Sequence, residues 1–142
     1  MIVVDANLLL YAYNSGSPRH AKARDWWEEV LSGSEAVGLP WQSIAAFIRI
    51  TTDPRLPGKH FAAEEAAQIV DSWLQQTIVG ALTPGDEHWF RFRSMVVEGQ
   101  ALGALVTHAQ IAALTVEYGG VLHTTDRDFA RFPGLRWKNP LV

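Results

Sequence analysis

The apolar positions of this chain fall into two kinds of pattern. Short continuous runs, Ile2-Val3-Val4, Ala36-Val37-Gly38-Leu39, Ile78-Val79-Gly80-Ala81-Leu82 and Val121-Leu122-His123-Thr124-Thr125, are bounded by Gly, Pro or acidic residues. Such runs suit strands covered on both faces of a parallel sheet. Between them, apolar residues return every three or four positions, the spacing of one helix face. The pattern predicts a helix over residues 8–13, and a second capped by Ser17 with Pro18 in its first turn, passing through Trp26-Trp27 to stop near Gly33. A third opens at Pro40, with Ile44, Phe47, Ile48 and Thr51 on one face, and ends before Pro54. Residues 61–74 form a fourth. Asp86 caps a fifth that stops at Gly99, and Thr107 caps a sixth that stops at Gly119-Gly120. Leu135-Arg136-Trp137 adds an edge strand.

Strands alternating with helices define an α/β domain with a mostly parallel sheet of four to five strands. The 142 residues suit one domain, 1–142, and no repeat or long linker divides them. Hydrophobic residues make up 48% and charged residues only 19%, so the chain can bury a core and is not disordered. The net charge of −3 lacks the basic balance of most nucleic-acid binders, so any such contact must come from local Arg or Lys residues or a bound cation. The absence of Cys excludes disulfides, thiolate metal sites and a Cys nucleophile. The N-terminus lacks a basic leader, and no apolar run approaches a membrane span. A soluble, cytoplasmic protein is expected.

In open α/β sheets ligands bind outside the carboxyl ends of the strands. Asp5 follows the first strand, with Asn7 two residues on, and Asp126 and Asp128 follow the last long one. If those strands are neighbours, three carboxylates meet in one crevice. Close carboxylates repel and need a cation, and hard oxygen ligands favour Mg²⁺ or Mn²⁺. Such an ion supports phosphodiester hydrolysis. Each Asp also has a plainer reading, as a helix cap or turn residue. The combination with a short, fully apolar first strand favours the metal site.

Residues 1–12, Met-Ile-Val-Val-Asp-Ala-Asn-Leu-Leu-Leu-Tyr-Ala, resemble the opening motif of VapC-type PIN domains. Residues 124–135, Thr-Thr-Asp-Arg-Asp-Phe-Ala-Arg-Phe-Pro-Gly-Leu, resemble their closing motif. Gly38 to Trp41, Ala46 to Thr52 and the 109–119 helix also fall in register, so the resemblance covers essentially the whole chain. It implies a three-layer α/β/α sandwich, a metal-dependent endoribonuclease acting on tRNA, rRNA or mRNA, a VapB-type antitoxin partner and a homodimer. The family places four acids around Mg²⁺ or Mn²⁺. The first matches Asp5, and the last matches Asp126 with Asp128 beside it. The second falls at Ala46. The third falls at His108, within Leu105-Val106-Thr107-His108-Ala109-Gln110, where the family pattern resembles Leu-Val-Thr-Asp-Ala-His.

Three outcomes are open for His108. It ligates a softer metal, it serves proton transfer or phosphate contact, or its presence weakens catalysis. The plain alternative is an exposed residue in a first helical turn. Thr124 and Thr125 are candidates to orient Asp5 or a bound water, or else ordinary strand residues, the reading preferred for Thr124. Asn7 bonds the turn or a carboxylate, and Arg49, Arg91 and Arg93 are candidate phosphate contacts. Two rivals to an active nuclease follow. One is a degenerate PIN domain that binds antitoxin or RNA without cutting. The other is a haloacid-dehalogenase-like phosphatase, which needs Asp-x-Asp where this chain has Asp5-Ala6-Asn7.

Overall fold

The computed structural model describes all residues, 1–142. Its elements run β1 (Ile2–Val4), α1 (Ala6–Ala12), α2 (His20–Ser32), β2 (Val37–Pro40), α3 (Trp41–Thr51), α4 (Ala63–Leu74), β3 (Val79–Leu82), α5 (His88–Glu98), α6 (Leu105–Glu117), β4 (Val121–His123) and β5 (Trp137–Lys138). A 3-10 turn, Arg127–Arg131, joins the last two strands. The five strands form one parallel sheet in the order β3-β2-β1-β4-β5. The first strand is therefore central, with β4 beside it: Ile2 pairs Val121, Val3 pairs Leu122 and Val4 pairs His123.

Strand pleating divides the core in two. Ile2 and Val4 face α1, α2, α3 and α4 through Leu8, Trp26, Phe47 and Trp73. Val3 faces the opposite way, toward α5 and α6, with Met95, Ala112 and Leu122. The result is the expected three-layer α/β/α sandwich. The larger core is aromatic: Phe47 and Trp73 meet with ring centroids 4.8 Å apart, and Trp27 meets Trp73 edge-on at 5.7 Å. Edge-to-face geometry suits the opposed charges of ring face and rim. The six Trp and Phe side chains of the two cores, Trp26, Trp27, Phe47, Trp73, Phe129 and Phe132, are all buried.

Several local expectations are corrected. Ser17 does not cap α2. Its hydroxyl accepts from the Arg19 amide at 3.1 Å in a turn, and the helix starts at His20. Asp86 makes no cap for α5, which follows Glu87, and Thr107 lies inside α6 rather than before it. Acid and hydroxyl residues signal helix starts only when the chain enters the helix at that point, and here turns delay or advance the entry. Gly119, at φ +63°, closes α6 with the paired amide bonds Gly120 to Thr115 and Gly119 to Val116, both 3.0 Å. That turn delivers the chain straight into β4.

His123 ends β4 under the Trp26 ring, 5.7 Å away, with Nδ1 unpaired. Burial and the nearby Lys138 charge push its pKa down to about 4. A His with a depressed folded pKa binds its proton more readily when unfolded, so stability falls as pH drops from the ordinary His value toward that folded value. Acid titration of urea stability should show that loss across roughly pH 6.5 to 4. His123→Phe should flatten this segment of the curve.

Candidate active site

Asp5 is the residue at which β1 stops and α1 begins. Its Oδ1 accepts the Ala6 amide at 2.9 Å, so it does cap a helix, while its side chain also lines a crevice. The capping reading is met, and the same carboxylate faces the crevice. Ser43 on α3 donates to the Val4 carbonyl at 2.8 Å and anchors the strand end from the other side. Thr124 is the central connector. Its hydroxyl donates to Asp5 Oδ2 at 2.7 Å, and accepts from the Asp126 amide at 3.0 Å and from Asn7 Nδ2 at 3.3 Å. One donor and two acceptors use its full capacity. Asn7 Nδ2 also donates to the Thr125 hydroxyl at 3.0 Å.

Asp126 opens the 3-10 turn that follows β4. Its Oδ1 accepts the Asp128 amide at 2.9 Å, and its Oδ2 lies 2.9 Å from His108 Nε2. His108 reaches it from the first turns of α6. The crevice is a cavity of about 390 Å³ lined by Asp5, Asn7, Ala46, Arg49, His108 and Asp126, among others. A larger cavity, about 610 Å³, lies between α2 and the β4–β5 edge around Trp26 and Lys138, away from these acids.

Asp128 does not join the crevice. It is exposed, because the 3-10 turn carries it past the strand end, and its contribution is the backbone bond that shapes the Asp126 loop. The expected meeting of three carboxylates becomes two carboxylates and an imidazole. Of the three candidate phosphate contacts only Arg49 lines the cavity. Arg91 lies by the Gly85–Glu87 turn and Arg93 is exposed on α5. Thr124, read from the sequence as an ordinary strand residue, is the fully buried group that ties the two acids together. Ser43 was invisible in the sequence, a single small hydroxyl on an otherwise apolar helix face.

The pKa of Asp5 is raised, chiefly by burial. The Thr124 bond, the His108 charge and the Ala6 amide work against that rise, while the Asp126 charge adds to it. Asp126 and His108 thus both act on Asp5 through space. Asn7 Oδ1 is buried in the same cavity without a hydrogen-bond partner. Asn7 Oδ1 and the Asp5 and Asp126 carboxylates are all oxygen donors on this cavity, the ligand type a hard divalent cation takes. No three His, Asp or Glu side chains are set closely enough to hold an ion by themselves.

An α/β domain with paired acids at the carboxyl ends of its two central strands is the architecture now on view. The chain belongs to the PIN domain family, whose pattern it matches over residues 2–135. Ribonuclease VapC33 of Mycobacterium tuberculosis is 36% identical over 141 residues, covering 99% of both chains. Ribonuclease VapC43 of the same organism is also 36% identical, over 99% of this chain and 96% of its own. Among solved structures, VapBC2 from Rickettsia felis, bound to a DNA fragment from its promoter, matches with a TM-score of 0.70 and 16% identity over 98% of each chain. The sarcin-ricin loop cleaving toxin VapC20 of Mycobacterium tuberculosis matches with a TM-score of 0.69 and 21% identity, over 96% of this chain and 99% of its own.

The raised pKa of Asp5 carries a stability cost. A carboxyl held above its ordinary pKa favours folding below that ordinary value and disfavours it as pH rises through the folded pKa. With chelator present, Asp5→Asn should therefore raise the melting temperature at pH 7. The gain should shrink on acidification toward the ordinary carboxylate range, read by thermal melts across pH.

Proposed function

We propose that this PIN-domain protein is a ribonuclease, the toxin of a VapBC-type pair, hydrolysing RNA phosphodiester bonds in the cytoplasm with one bound Mg²⁺ or Mn²⁺. The observation that carries the reading is the convergence of Asp5, Asp126 and the unpaired Asn7 oxygen on one cavity at the carboxyl ends of β1 and β4. The names of the relatives, ribonucleases over the full length of this chain, support it.

A divalent ion held here would supply positive charge to a phosphate oxygen and would make a water more acidic. Asp5, Asp126 and Asn7 Oδ1 are the residues that would hold it. Thr124 fixes Asp5 by one bond and the Asp126 loop by another, so both acids keep their positions before substrate arrives. Arg49, at the cavity rim, contacts a phosphate flanking the cut. Asp128 acts only through the shape of the Asp126 turn. With Ala46 where a further acid is usual, fewer charges face the cavity, and one ion is sufficient to balance them.

The same acidic crevice suits an Arg or Lys of a VapB-type antitoxin, which would cover it and exclude RNA. Exposed Trp89 and Phe90 on α5 suit a second copy of the chain in a homodimer.

Structured RNA incubated with the purified chain and Mg²⁺ or Mn²⁺ should be cut at discrete positions. Chelator and Asp5→Asn should each stop cleavage. Thr124→Val should slow it on the order of 10- to 100-fold, with the fold intact by circular dichroism. RNA or antitoxin bound tightly but never cut, in any of these ions, would replace the nuclease reading with that of a binding module. The His108–Asp126 pair, which occupies one of the two acids, favours that second reading.

A further inference from the structure

His108 is the one imidazole beside the carboxylates of the crevice, and it is firmly held. Its ring lies over Phe129, with centroids 4.5 Å apart and 31° between the planes, and Phe129 is fully buried. Its Nε2 stands 2.9 Å from Asp126 Oδ2, and its charge acts on Asp5. The imidazole therefore stands beside Asp126 in a fixed plane, in the cavity that Asp5 also lines.

A spacing of 2.9 Å fits a hydrogen bond. It is also the spacing of two neighbouring donors on one cation, whose bonds to nitrogen or oxygen run about 2.1 Å. Exchanging the shared proton for a cation needs a reorientation of the ring and no change in the spacing of the two donors, and the proton passes to solvent as the ion binds. Imidazole suits first-row transition ions, whereas Mg²⁺ takes oxygen ligands.

We propose that His108 is a nitrogen ligand that makes this crevice select a first-row transition cation, represented by Mn²⁺, over Mg²⁺. The inference rests on reading the crevice as a cation site, and it assigns to one residue the choice of ion. An acid at this position would leave oxygen donors only and remove that choice.

The test uses the full chain without RNA, at one fixed pH. Mn²⁺ and Mg²⁺ affinities are measured by calorimetry, and the Mn²⁺-loaded protein is examined by electron spin-echo spectroscopy. The wild type should show modulation from a directly bound imidazole nitrogen. His108→Asp should abolish that signal and narrow the preference for Mn²⁺ over Mg²⁺ on the order of tenfold or more. His108→Gln, which adds no charge beside Asp126, should also lack the signal, and serves if His108→Asp does not fold. A wild type without nitrogen modulation, a signal that survives both substitutions, or an unchanged ion preference in a folded variant would overturn the assignment. RNA cleavage is scored separately. Nitrogen-bound Mn²⁺ with uncut RNA would refute the nuclease reading and leave His108 as ligand. Cleavage in Mn²⁺ without nitrogen modulation would refute the ligand role and leave the nuclease reading intact.

Discussion

One hydrogen bond joins the two ends of this chain at its working surface: Thr124 donates to Asp5 across 119 positions of sequence. It exists because β1 and β4 are adjacent parallel strands that stop at the same level. The two acids of the crevice and Asn7 are arranged around it. The Thr124 oxygen receives the Asp126 amide and the Asn7 side chain, so the acid from the first strand and the acid from the last are held by one hydroxyl. Such bonds offset the cost of taking polar groups out of water.

The cost of the arrangement falls on Asp5. Taking a carboxylate out of water disfavours its charged form, and neighbouring Asp126 adds to that effect. Thr124, His108 and the start of α1 return part of what burial removes. A site that keeps an acid under this tension has an affinity for positive charge built into it. The imidazole of His108 and the Ala6 amide are two answers to that demand already built into the fold.

Much of this was legible in the residue pattern. Ile2-Val3-Val4 announced a strand covered on both faces, and its position next to Val121–His123 placed Asp5 beside Asp126. What the pattern did not carry was orientation. Asp128 and Asp126 look equivalent in Asp126-Arg127-Asp128, yet the tight turn aims one inward and exposes the other. Thr124 and Thr125 look interchangeable, but both lie past the end of β4 and only the first is buried, against Asp5. Helix starts at Ser17, Asp86 and Thr107 misled because turn-forming and capping residues are the same residues, chosen between by tertiary context.

The two-glycine turn after α6 has a further meaning. It leaves no slack between helix and strand: Gly120 lies where an added Cβ would come within 2.8 Å of Val3 and 3.1 Å of the Met1 carbonyl. His108 and Asp126 therefore ride on one inflexible hairpin, 18 positions apart, like the jaws of a caliper whose arm has been cut to length. Insertions and deletions, which loops elsewhere in the chain absorb freely, would slide one jaw past the other. In related sequences that keep this pairing, the interval between the two residues is the ruler by which it can be recognised.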